Sequence, residues 1–161
     1  MRIAVVSDTH GNLGNTRKAV TLLDKYAVQA VLHCGDIGTA SIIGLFAEWP
    51  AHFVFGNVDG DPVSLRQAIT DTGQTCHERF ADLQLNGRRI ALLHGDDARR
   101  LSEATESGEY DLVCYGHTHK PEQHMSGNTL VLNPGALHRA NPHTFAVVDL
   151  DTLAVESVPL R

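Results

Sequence analysis

The chain reads as an α/β domain built on a mixed, doubled β-sheet, and three observations predict it. The first half alternates short apolar runs with segments of helical period, as βαβ units do. The second half carries an Asn86-Gly87 pair inside an alternating apolar and polar stretch, the strongest local sign of a hairpin. The 161 residues, 42% apolar and 20% charged, are enough to bury a core as one domain over residues 1–161, and no linker, repeat or disordered tail interrupts them.

Taken in order, RIAVVS (Arg2 to Ser7) is an apolar run of buried-strand type that ends in a polar, glycine-containing turn. From Leu13 to Tyr26, Ala19, Val20, Leu22, Leu23 and Tyr26 recur at helical spacing. Ala30 to Cys34 is a second short strand, Ala40 to Trp49 a helix stopped by Pro50, and His52 to Gly56 a third strand. Pro62 sits in the first turn of a helix over Val63 to Ile69. After the hairpin in RFADLQLNGRRIALLHG, a short helix near Ala98 to Glu106 leads to the strand Asp111 to Gly116. Two more hairpins pair Gln123–Met125 with Thr129–Leu132, and Thr144–Leu150 with Leu153–Val158.

Composition excludes several function classes. A net charge of -6 and a pI near 5.9 argue against a grip on extended nucleic acid, which needs a basic face. The pairs Arg88-Arg89 and Arg99-Arg100 are too isolated to form one. The apolar runs are far shorter than a membrane span. A strand pattern from the second residue leaves no room for a secretory leader. Cys34, Cys76 and Cys114 are odd in number and lack C-x-x-C spacing, which predicts reduced thiols and a cytoplasmic location. Cys34 and Cys114 lie in apolar runs and read as core residues, as do Trp49 and the phenylalanines.

The turns after the strands share an unusual composition. SDTHGN supplies Asp8 and His10, HCGDIG supplies Asp36, and FGNVDGD supplies Asn57 and Asp59. LLHGDD supplies His94, and YGHTHKP supplies His117 and His119. The carboxyl ends of parallel strands converge on one rim, where ligands bind in open α/β sheets. Imidazole and carboxylate without thiolate suit Mn, Fe, Ni or Zn. Seven such residues exceed one tetrahedral site and suit two ions sharing a carboxylate, about 3.5–4 Å apart, a pair able to hold hydroxide and clamp a phosphoryl group in displacement. Gly35, Gly56 and Gly116 precede Asp36, Asn57 and His117, where a missing side chain allows close backbone approach.

The ordered series D-x-H, G-D, G-N-x-D, H and G-H-x-H, spanning Asp8 to His119, resembles the calcineurin-like metallophosphoesterases. The N-P-G at Asn133 to Gly135 is similar to that of their small phosphodiesterase branch. The resemblance implies an αββα four-layer sandwich of two mixed β-sheets flanked by helices, with a dinuclear site on its rim. It assigns Asp8, His10, Asp36 and His119 to a first divalent ion and Asp36, Asn57, His94 and His117 to a second, with Asp36 bridging. The nucleophile it implies is a metal-bridging hydroxide, with Asn57 also contacting the substrate phosphate.

One departure stands out. Many members carry histidine after the asparagine, where it aids the leaving oxygen, and this chain has Val58. Valine transfers no proton, and general acid help is typically worth about 10²–10⁴-fold. Asp59, His138 and Arg139 are the candidate substrate contacts that replace it; against that, Asp59 can serve its own turn and the other two can be solvated. His33, His52, His77, His124 and His143 read as ordinary, with His33 near enough to Asp36 to support it. The expected activity is hydrolysis of small phosphodiesters. The alternatives are a phosphomonoesterase, a nuclease of short oligonucleotides, and a metal-poor binding scaffold like the small retromer subunit, whose fold is also similar.

Overall fold

The computed structural model describes residues 1–161, and they form two sheets packed face to face with helices on both outer sides. The first sheet has the order β11-β10-β1-β2-β3-β4. Its parallel part is β1 (Arg2–Val6), β2 (Ala30–His33), β3 (Ala51–Phe53) and β4 (Thr75–Cys76). α1 (Leu13–Leu23), α2 (Ala40–Ile43) and α3 (Pro62–Asp71) make the crossovers. The second sheet, β5-β6-β7-β9-β8, joins β5 (Phe80–Leu85), β6 (Arg88–Leu93), β7 (Leu112–Cys114), β8 (Pro121–Ser126) and β9 (Thr129–Pro134), with α4 (Ala98–Glu106) between β6 and β7. β10 (Thr144–Asp149) and β11 (Ala154–Pro159) form a hairpin that returns to the first sheet, antiparallel to β1.

Three cores match these layers. Val6, Val31, Phe46, Phe53 and Leu65 fill the space between the first sheet and α1–α3. Ile3, Val5, Leu32, Ile90, Leu92, Leu112 and Leu132 lie between the sheets. Leu93, Ala104, Val113 and Val131 lie under α4. Successive strand residues alternate between cores, as period-two geometry requires when both faces are covered. The expected αββα sandwich is the observed one.

Most elements fall where the sequence places them, and the differences have local causes. The expected helix over Ala40–Trp49 is α-helical only to Ile43. It tightens at Gly44–Phe46 into a 3-10 turn, with Ala47 N–H bonded to the Gly44 carbonyl, because glycine weakens the helix and Pro50 ends it. α1 stops at Leu23, and Ala27 turns left-handed beyond it. β4 has only two residues, too few for any periodicity. Asn86 and Gly87 both have positive φ, 51° and 75°, as a two-residue type I′ hairpin needs. Cys34, Cys76 and Cys114 are unpaired, the first and last buried, and no helix is long and apolar enough to cross a membrane.

Candidate metal centre

β1, β2 and β7 end by turning sharply toward one rim of the sandwich, and there the turn is made on the functional residues themselves. Asp8, His10, Asp36, His117 and His119 all hold positive φ, 54°, 43°, 54°, 67° and 59°. For a residue with a Cβ this conformation costs on the order of 1–2 kcal/mol. Neighbouring hydrogen bonds hold it: Asp8 N–H to the Gly35 carbonyl (3.1 Å), His10 N–H to the Asp36 carbonyl (2.9 Å), Gly116 N–H to the His94 carbonyl (2.9 Å). Two glycines permit the close approach. A Cβ on Gly56 would overlap Asp36 Oδ1, and one on Gly116 would overlap the Ser7 hydroxyl.

The side chains form a bowl. Asp8, Asp36 and His94 are buried at its floor, His10 and His119 are half-buried, and Asn57 and His117 are exposed at its edge. Both carboxylates are anchored through one oxygen. Asp8 Oδ2 accepts from the Ser7 hydroxyl (2.6 Å) and His117 N–H (3.1 Å), and Asp36 Oδ1 accepts from Val58 N–H (3.1 Å). The other oxygens face the bowl. Asp8 Oδ1 lies 3.1 Å from His119 Nε2 and 3.7 Å from His10 Nε2. Asp36 Oδ2 lies 3.6 Å from His10 Nε2 and 3.3 Å from His94 Nε2. The His117 ring stands against His94, centroids 5.1 Å apart.

Tautomers follow from the acceptors behind the rings. His94 Nδ1 is 2.8 Å from the Cys34 carbonyl, and His119 Nδ1 is 3.3 Å from the Arg139 carbonyl. A carbonyl only accepts, so each Nδ1 carries its proton and each Nε2 turns a lone pair inward. His94 Nε2 then meets Asn57 Oδ1 (3.1 Å) and Asp36 Oδ2, three acceptors together. Such a cluster needs a positive centre. Burial opposes a proton on His94, but the Asp36 carboxylate outweighs it and raises the pKa. Burial likewise pushes Asp36 up, and His94 with the Val58 amide more than reverses it, leaving the pKa lowered.

Asp8 Oδ1, buried, has no hydrogen-bond partner at all. Ligands about 2.1 Å from a tetrahedral ion lie about 3.4 Å from each other, close to the spacings found here. The donor set therefore fits divalent cations, with ligand atoms of Asp8, His10 and His119 within 4.8 Å of one another, and those of Asp8, Asp36 and His94 likewise.

The three candidate substrate contacts diverge. Asp59 serves its own turn and a neighbouring loop. It is buried, and its two oxygens accept from Gly38 N–H (2.9 Å) and Gly56 N–H (2.8 Å), so it fastens the Asp36 loop to the Asn57 loop. His138 lies at the bowl, its ring 5.5 Å from that of His10, with Nδ1 3.2 Å from the Asn12 amide. Arg139 meets His119 through its carbonyl, and the rest of the residue is exposed.

His33 does back the site: its Nε2 is 3.1 Å from the Thr9 hydroxyl, whose residue lies between Asp8 and His10. His52 and His77 are not isolated, with Nδ1 and Nε2 2.9 Å apart in stacked rings. Sequence reasoning missed Ser7, which only proximity to Asp8 could suggest, and the work of Asn133. That buried amide donates to the Gly116 carbonyl (2.7 Å) and the Thr118 hydroxyl (3.1 Å) and accepts from Gly135 N–H (3.0 Å), holding the loop that carries His117 and His119.

The comparisons agree with this geometry. Residues 1–153 match the calcineurin-like phosphoesterase superfamily domain. Phosphodiesterase MJ0936 of Methanocaldococcus jannaschii is 33% identical over 138 residues, 84% of this chain and 83% of that protein. A solved archaeal phosphodiesterase superposes with a TM-score of 0.93 at 29% identity, covering 99% of this chain and all of that one. Zinc-complexed Vps29 of Entamoeba histolytica shares the fold alone, with a TM-score of 0.65 at 17% identity over the whole of both chains. The chain belongs to the calcineurin-like phosphoesterase superfamily and is a phosphoric ester hydrolase.

Proposed function

We propose that this chain is a dinuclear metal-dependent phosphodiesterase acting on small phosphodiesters. The observation that carries the proposal is the pair of inward carboxylate oxygens: Asp8 Oδ1, buried without a partner, and Asp36 Oδ2, facing His10 and His94 at once. Asp8, His10 and His119 would hold one ion and Asn57, His94 and His117 the other, with Asp36 shared. Asp8 is also near the second group, but Ser7 and the His117 amide occupy its Oδ2, so its free oxygen serves the first ion.

When bound, the two cations supply hydroxide near neutral pH and offset phosphate charge. The chain does the rest. The Cys34 and Arg139 carbonyls fix His94 and His119 with Nε2 inward. Asn57 turns Oδ1 toward the centre, which leaves its amide N–H groups for a phosphate oxygen. Val58 offers no proton to a leaving group, which favours esters whose leaving group needs little help. A metal-poor scaffold is the weaker reading, because every expected ligand is present in the bowl.

Elemental analysis of manganese-loaded protein tests the assignment. Asp36→Ala should lose both ions and His10→Ala mainly one. Loss of one ion in both variants would contradict the shared carboxylate.

A further inference from the structure

We propose that the mouth of the metal centre is two-sided and selects phosphodiesters with one apolar arm and one anionic arm. The proposal rests on the phosphodiesterase reading and names its substrate class.

One flank carries two exposed apolar side chains, with the exposed Asp61 between them in sequence. Three large hydrophobic residues are exposed in the molecule, Val58 (49%), Val63 (70%) and Met125 (58%), and the first two lie on the single passage from β3 to α3. Val58 is pinned at the mouth, because its N–H donates to Asp36 Oδ1 at 3.1 Å and its neighbour Asn57 faces His94. Val63 stands on the first turn of α3, whose start is fixed by the Asp61 carboxylate accepting from Ser64 N–H (3.1 Å). Water-exposed apolar surface beside a reaction centre gains free energy when a substrate covers it.

The other flank is polar and cationic. The Asn12 amide donates to His138 Nδ1, which leaves His138 Nε2–H as a donor beside His10. Arg139 follows directly, anchored by its carbonyl at His119. Arg139 is exposed and, like Arg2, Arg17, Arg100 and Arg161 and unlike the other five arginines, pairs with no carboxylate; its carbonyl places it beside the bowl. An unpaired guanidinium matches a carboxylate or phosphate in a two-bond fork. A phosphodiester at the bowl has two arms to place, and the two flanks differ in kind.

The test uses the manganese-loaded full chain and three 4-nitrophenyl phosphodiesters whose second arm is methyl, phenyl or carboxymethyl. The carboxymethyl diester should have the highest kcat/KM, about tenfold or more above the phenyl diester, as a charge-assisted hydrogen bond allows. Arg139→Gln should erase that advantage, lowering kcat/KM for the carboxymethyl diester about tenfold more than for the methyl diester. Val58→Ser should raise KM about threefold to tenfold for all three, with kcat retained, because the nitrophenyl arm is common to them. Calorimetric binding of benzyl(carboxymethyl)phosphinate, whose two arms are joined by P–C bonds and are not hydrolysed, should weaken in both variants at unchanged metal content. Equal turnover of the three diesters, with neither variant altering binding, would overturn the proposal and leave the phosphodiesterase reading standing. No hydrolysis of any diester by fully loaded protein would overturn both.

Discussion

Replacing Asp8 by asparagine should invert in sign with metal. In the protein alone, Asp8 Oδ1 is a buried acceptor with no donor, 3.1 Å from His119 Nε2, which presents a lone pair because its Nδ1–H faces the Arg139 carbonyl. An asparagine keeps an oxygen for Ser7 and the His117 amide and puts an N–H where the orphan oxygen was. An unsatisfied buried polar group costs about 1–3 kcal/mol, and 1 kcal/mol moves the melting temperature by about 2–4 °C in a domain of this size. The stripped Asp8→Asn protein should therefore melt about 2–12 °C above stripped wild type. Metal reverses the order. At a hundredfold excess over Kd, each ion stabilises by about 2.7 kcal/mol, roughly 5–11 °C, which wild type gains and the variant loses at its first site. Calorimetric melts at pH 8, above the ordinary imidazole range, with chelator and with manganese, measure both arms. If the stripped variant melts at or below wild type, or both proteins gain equally from manganese, the orphan oxygen is not held for a cation.

Other outcomes follow from the same geometry. Gly56→Ala should abolish metal binding while Asp59→Asn only weakens it, because the first drives a Cβ into Asp36 Oδ1 and the second keeps one of two loop bonds; metal titration separates them. Val58→His should raise activity on alkyl monophosphates about 10²-fold or more, the low end of general acid help; efficient monoester hydrolysis by wild type would refute the diester preference. Acid should destabilise the fold through His33, whose pKa burial lowers from the ordinary 6.5 to about 3. Between those values the unfolded chain takes a proton that the folded one refuses, so stability is full above about pH 6.5 and falls below it. The loss is about 2 kcal/mol from pH 7 to pH 5. His52 and His77, also lowered by burial, act in the same direction, and His33→Gln should flatten the denaturation slope by about one proton.

The seven proposed ligands were legible because they sit in the turns after strands, five of them next to a glycine, in residue types that suit a divalent cation. The supporting residues were not. Ser7, Asn133 and Asp59 act through hydrogen bonds to partners up to 1, 17 and 21 residues away, and nothing in a serine or an asparagine announces its partner. Asp59 shows the difference: its place in G-N-x-D suggested the substrate, and both its oxygens turned out to join two loops.

By itself, the sequence determined the layers, the hairpins and the chemistry of the donor set, because periodicity and residue type are local properties of the chain. Only the tertiary structure decided that β10 and β11 return beside β1, which carboxylate oxygen is free, and which face of each imidazole turns inward. Those depend on backbone amides and carbonyls contributed by other strands, as the Cys34 carbonyl behind His94 does across 60 positions of sequence.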